Sequence, residues 1–189
     1  TVTRSILFVF LCYTSAMSIL SENEIRSETV IALAKKMMLA ARTAPKGRGV
    51  DNLLIALADK EAIKEISNHM KLMAEEGRGA GFFIRDAENI LLSEAIVLIG
   101  TKISAMGLKQ CGLCGFKDCE EKNRHPKHPC SFNTGDLGIA IGSAVSIACD
   151  ARIDNRIMFS VGKAAKEMNL LGEEAAIIYA IPLSASAKN

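Results

Sequence analysis

Apolar residues recur at helical spacing between Ser21 and Arg42, where Val30, Leu33, Ala34, Met37, Met38 and Ala41 share one face. Ser21, with Glu24 three residues on, reads as a capping box, and Pro45 and Gly47 end the pattern. The apolar run 52–58 has the length of a buried strand. Asp59 can cap a helix running to about Glu76, with Ile63, Ile66, Met70 and Met73 as its apolar face and Gly77 as its stop. A glycine-rich turn follows at 77–81, then an extended piece at 82–84 and a brief helix at 86–92. Residues 95–100 form the clearest buried strand. Residues 134–151 read as an almost uniformly apolar helix, rich in Gly and Ala and therefore buried and closely packed. A further helix is expected over 155–170, and a last strand over 175–181 that Pro182 ends. Helices alternating with strands in this order imply an α+β fold of packed layers. The expected organisation is one domain over 17–189, with a cysteine-rich module inserted at about 109–131.

Almost half of the 189 residues are hydrophobic, so the chain can bury a sizeable core. Trp is absent and Tyr scarce, which leaves Ala, Ile, Leu, Met and Val to fill it. The formal net charge of +2, with both signs interspersed, offers no electrostatic case for binding nucleic acid or an anionic membrane. The apolar run Ile6 to Tyr13 behind Arg4 is too short to span a membrane as a helix. It resembles a weak signal core, with Ser15 and Ala16 as a cleavage region. The expectation here is instead that residues 1–16 are an upstream extension and that Met17 begins the native protein.

The chemistry concentrates in Cys111-x2-Cys114-x4-Cys119-x10-Cys130. A disulfide framework belongs to small secreted domains without a core, which this chain is not. Clustered cysteines in a chain with its own core read better as metal ligands. Cluster iron needs four converging thiolates, three from a tight loop and one from further along. Gly112 and Gly115 let that loop curl, so that its N–H groups can point at sulfur. Zinc is the rival, since it also takes four Cys or mixed Cys and His, and His125 and His128 lie just before Cys130. The paired CxxC knuckles usual for zinc are absent, and the spacing favours the cluster.

The string CGLCGFKDC with its later Cys resembles the four-cysteine domain of electron-transport complex subunits and of the corrinoid iron–sulfur protein's large subunit. That resemblance implies a 4Fe–4S cluster held by Cys111, Cys114, Cys119 and Cys130. From about Glu24 to Ser184 the chain resembles a prokaryotic family described as ferredoxin-domain-containing proteins of unknown function. The residues that carry this likeness are Ala41 to Gly47, Ile84 to Asn89 and the cysteine module. Ala41-Arg42-Thr43-Ala44-Pro45, a glycine turn and Asn52 before a strand also resemble the FMN-contacting loop of the nitroreductase family. Asp136 to Asp150 resembles the long buried helix of that fold, and Tyr179 to Pro182 its closing strand. The implied fold is a nitroreductase-like body, with FMN as a cofactor and Arg42, Lys46, Arg48 and Asn52 as flavin or phosphate contacts. The family's arginine-rich arm is missing, because Ser21-Glu22-Asn23-Glu24 stands before the first helix.

Lys46 and Arg48 flank glycines that expose N–H groups, so the turn can cradle a phosphate; a solvated turn is the competing account. Arg85 with Asp86 reads as a local ion pair or helix cap, His69 as a boundary residue and Cys149 as a small hydrophobe in a buried helix. No Ser/His/Asp or paired-carboxylate constellation identifies a catalytic residue. The expected function is ferredoxin-like electron transfer, to a bound flavin or to a redox partner protein. A structural zinc module in an interaction domain is the alternative. A homodimer is expected, because the helix at 134–151 is apolar on more faces than one small domain needs. An oxygen-sensitive cluster points to the cytoplasm.

Overall fold

A computed structural model describes residues 19–187 of the chain. The signal-like run and the Met17 start lie outside the described residues. Chain order is α1 (Glu22–Thr43), β1 (Leu53–Ala58), α2 (Lys60–Glu75), α3 (Phe82–Ile90), β2 (Ala95–Thr101), α4 (Cys119–Asn123), α5 (Ser131–Asp150), β3 (Asp154–Asn155), α6 (Phe159–Glu167) and β4 (Ile177–Ser184). The four strands form one antiparallel sheet in the order β1-β2-β4-β3.

The period of two along β2 sorts the core into two layers. Ile96 and Leu98 join Ile178 and Ala180 against α2, α3 and α6, where Ile63, Ile66, Met70, Met73, Phe83 and Ile90 are buried. Ala95, Val97 and Ile99 join Ile181 and Leu183 against α1 and α5, with Val30, Met37, Leu137 and Ile141. Helices therefore cover both faces of the sheet. The expected capping of α1 and α2 is present. The Glu24 carboxylate accepts from the Ser21 N–H at 2.9 Å, and Asp59 accepts from the Ala62 N–H at 3.0 Å.

Four expectations are corrected. The piece at 82–84 is helical, since α3 starts at Phe82 and packs Phe83, Asp86, Ala87 and Ile90 as one i, i+3, i+4, i+7 stripe. Residues 154–155 pair with β4 as β3, so α6 starts only at Phe159. Strand β4 runs through Pro182 to Ser184. Ala180 exchanges both hydrogen bonds with Met158, and Asn155 pairs with Leu183, so the proline nitrogen falls in a gap of the edge ladder where no donor is needed. Finally, α5 is covered on only one face, through Asn133, Asp136, Leu137, Ala140, Ile141, Ala144 and Ala148. Cys149 is exposed, because it falls on the opposite face in the last turn. By length and composition α5 is the one helix among the described residues that could cross a membrane, yet it packs against α1 and β2.

Helix α6 approaches β4 closely at Gly162. A Cβ at Gly162 would stand 1.9 Å from the Ile178 carbonyl oxygen. Gly162→Ala must push α6 off the sheet, and should cost about 1–3 kcal/mol in chemical denaturation, the range for overpacked cores. An unchanged denaturation midpoint would show that the helix shifts freely.

Candidate redox site

Three segments converge beside the N-terminus of α5. The first is the turn after α1, where Gly47–Gly49 forms a single 3-10 turn and Arg48 sits at φ 54°. The second is the loop that leaves β2. The third is α5 itself. Hydrogen bonds fasten them together. The Gly47 N–H donates to Asp136 at 3.0 Å, Arg48 Nη1 donates to the Met106 carbonyl at 2.8 Å, and the Ser104 N–H donates to Asn133 Oδ1 at 2.8 Å. Asn133 and Asp136 are both buried. The loop that carries the cysteines is thus held at its base by Asn133 of the helix that follows it and by Arg48 of the turn after α1.

Within the module the two glycines behave as the sequence implies, with Gly112 at φ 66° and Gly115 at φ 88°. Asp118 starts α4 by accepting from the Glu121 N–H at 2.9 Å, and Glu121 reaches back to the Lys117 N–H at 2.7 Å. This places Cys119 in the first turn. Cys130 is the N-cap residue of α5 and is buried. All four cysteines are free thiols and line one cavity, together with Ala105, Met106, Leu113, Asp118, Lys122 and Phe132. Among the described residues no three Cys, His, Asp or Glu side chains are close enough together to hold a single metal ion.

The two histidines are engaged elsewhere. His125 stacks on the Phe116 ring at 4.9 Å between centroids, and His128 meets the same ring edge-on at 4.9 Å. Both line a separate surface cavity with Arg124 and Lys127, rather than the cysteine cavity.

A groove of about 360 Å³ adjoins the cysteine cavity. Pro45, Lys46, Gly47, Gly135, Asp136 and Ile139 form its own walls, and it shares Leu113, Ser131 and Phe132 with the cysteines. The structure brings only Lys46 of the four expected flavin contacts into this lining. Lys46 Nζ donates to the carbonyls of Arg42 and Ala44, at 2.6 Å and 2.7 Å. Arg48 is drawn to Met106, and Arg42 pairs with Asp51. Burial raises the Asp51 carboxyl, but hydrogen bonds from Arg42 and the Leu53 N–H outweigh it and hold the group below its usual range. Asn52 precedes β1 and its carbonyl accepts from the Lys102 N–H at 3.0 Å. Away from the site, Arg85 pairs with Asp86 at 3.0 Å, as expected, while Ser160 donates to the other Asp86 oxygen at 2.6 Å. His69 lies 3.5 Å from Glu167 at the boundary of the core.

Sequence reasoning missed Asp136, Asn133 and Met106 as anchors, Phe132 as the wall between the two cavities, and Lys122 as part of the lining. Only the Asp118…Glu121 spacing carried a readable local signal.

Residues 127–189 match the family described as "Uncharacterized protein containing a ferredoxin domain", a stretch that includes Cys130, α5, α6 and β4. A protein of Archaeoglobus fulgidus is 38% identical over 178 residues, spanning 90% of this chain and 95% of the relative. The chain belongs to this family. Among solved structures, this chain is similar to a BluB-like flavoprotein from Clostridium difficile 630, with 17% identity, a TM-score of 0.57 and coverage of 84% of this chain and 81% of that one. A nitroreductase family protein from Clostridium novyi NT gives 13% identity and a TM-score of 0.56 over 83% of this chain and 74% of that one. An FMN-dependent nitroreductase from Clostridium difficile R20291 gives 15% and 0.51 over 84% and 77%. At these identities the likeness is one of fold. This chain therefore has the nitroreductase-like α+β body that its loop, long helix and closing strand resemble.

Proposed function

We propose that this chain is an iron–sulfur redox protein in which Cys111, Cys114, Cys119 and Cys130 hold a 4Fe–4S cluster within a module at about 109–131. The observation that carries the reading is one cavity lined by all four thiols, with both histidines turned to Phe116 instead. Tetrahedral zinc on the same four thiolates is the alternative, and the metal count decides between them. When bound, the cluster supplies one-electron chemistry. The chain's part is to fix the thiolates: Gly112 and Gly115 shape the tight loop, Asp118 sets Cys119 on α4, and the start of α5 sets Cys130. An oxygen-sensitive centre of this kind suits the cytoplasm.

Protein purified without oxygen should be brown, with broad absorbance near about 400 nm that dithionite bleaches. Cys119→Ser and Cys130→Ala should each lose most of the iron, whereas His125→Ala and His128→Ala should keep it. A colourless protein carrying stoichiometric zinc sinks the proposal.

The groove behind Phe132 is the natural seat for an electron partner of the cluster, since Leu113, Ser131 and Phe132 wall both spaces. FMN is the ligand we assign to it, in keeping with the fold's FMN-dependent relatives. Lys46 is the cation at hand for its phosphate, in place of the Arg48 cradle. Titration of the protein with FMN should quench flavin fluorescence, and Lys46→Ala should weaken binding by about tenfold, the worth of one charge-assisted hydrogen bond. If flavin emission stays unquenched, electrons leave the cluster to a partner protein directly.

A homodimer fits the same face. Gly135, Gly138, Ile139, Gly142 and Ser146 lie on the uncovered side of α5, and Leu39 of α1 is exposed. Light scattering at micromolar concentration should return twice the chain mass of 20.3 kDa. A monomer there removes the interface from the proposal.

A further inference from the structure

Lys122 is the exception to the polar character of the cysteine module. The residues on either side of it, from Glu120 to Lys127, are exposed or half-buried, yet Lys122 is only 3% exposed. It lies in the second turn of the five-residue helix α4, three residues after Cys119, and lines the cavity with the four thiols. Its ammonium makes no hydrogen bond or ion pair with any described residue. Asp118 lines the same cavity one turn earlier, but its carboxylate accepts the Glu121 N–H and forms no ion pair with Lys122. A lysine is almost never fully buried without a partner, because desolvating the ammonium costs several kcal/mol. An anion held in the cavity would supply the partner that Lys122 lacks among the described residues.

Four thiolates around a 4Fe–4S core in its oxidised state carry a net charge of about −2, and one more electron makes it about −3. We infer that Lys122 is the buried counter-charge of the cluster and holds its reduction potential up. This inference rests on the cluster reading above. The sign follows from electrostatics: a fixed positive charge at short range stabilises the more negative, reduced state more than the oxidised one. Removing the charge leaves the electron harder to add. Burial amplifies the effect, because solvent screens the site poorly, whereas the exposed Lys127 on the same module is screened by water. Lys122 touches no electron partner in this role; it acts by setting the energy of the centre that does.

The test is a dithionite titration of anaerobically purified full-length protein, followed by electron paramagnetic resonance of the reduced cluster, with iron and sulfide counted per chain. Lys122→Met and Lys122→Gln keep the length and much of the volume of the side chain without its charge. Either should make reduction at least about tenfold less favourable, a fall of about 59 mV for one electron. Lys122→Arg should stay near the wild type, and so should the surface control Lys127→Gln. If both neutral variants lose their iron while Lys122→Arg keeps it, the charge requirement is upheld at the level of assembly. Neutral variants that retain full iron and an unshifted potential overturn the inference and leave the cluster intact. Loss of iron in Lys122→Arg as well overturns it too, since the role is then one of shape. A wild type without iron or sulfide fails the cluster reading itself, which the metal count separates from any effect of Lys122.

Discussion

Strand β2 has no solvent face: Ile96 and Leu98 pack into the layer of α2, α3 and α6, while Val97 and Ile99 pack into that of α1 and α5. A strand hidden on both sides must pair along both edges: β4 does so over its whole length, and β1 from Ile96 to Thr101. That arrangement leaves the chain one way out of the sheet after Thr101, toward the end where the turn after α1 and the start of α5 already meet. The cysteine module hangs from this exit. Two hydrogen bonds fasten the base of its loop to the body, from Arg48 to the Met106 carbonyl and from the Ser104 N–H to Asn133.

How much of this could be read in advance followed the strength of local signals. The Ile63, Ile66, Met70 and Met73 stripe and the Asp59 cap defined α2 because periodicity and capping agreed. The run at 95–100 could hardly be anything but an inner strand. The misreadings have physical causes. Phe82 to Ile84 looked extended because its β-prone residues follow a glycine turn, but the buried stripe that starts at Phe83 decided for helix. The short pairing of β3 with β4 is a tertiary effect with no local mark. Cys149 looked buried because the composition of α5 hides which face the body covers.

The four cysteines that line one cavity stand out in the sequence by their spacing and their glycines. Their surroundings do not. Lys122 reads in the sequence as one more cation in a charged loop, and only the fold of α4 against the cavity shows it buried. The turn at 46–49 reads as a phosphate cradle, yet its donors are spent internally: Gly47 on Asp136, Gly49 on Lys46 and Val50 on Gly47. A hydrogen bond between residues 89 positions apart, as from Gly47 to Asp136, leaves no trace in a linear pattern.

Pro182 has a consequence for how copies of this molecule can meet. At the β3 side of the sheet the outermost strand is two residues long, and beyond it the neighbouring strand presents a ring nitrogen that cannot donate. An incoming extended segment would find no continuous ladder to join there. That rim is closed to strand addition, the route by which open sheets grow into fibrils, and self-association on this flank has to proceed through helical surfaces instead.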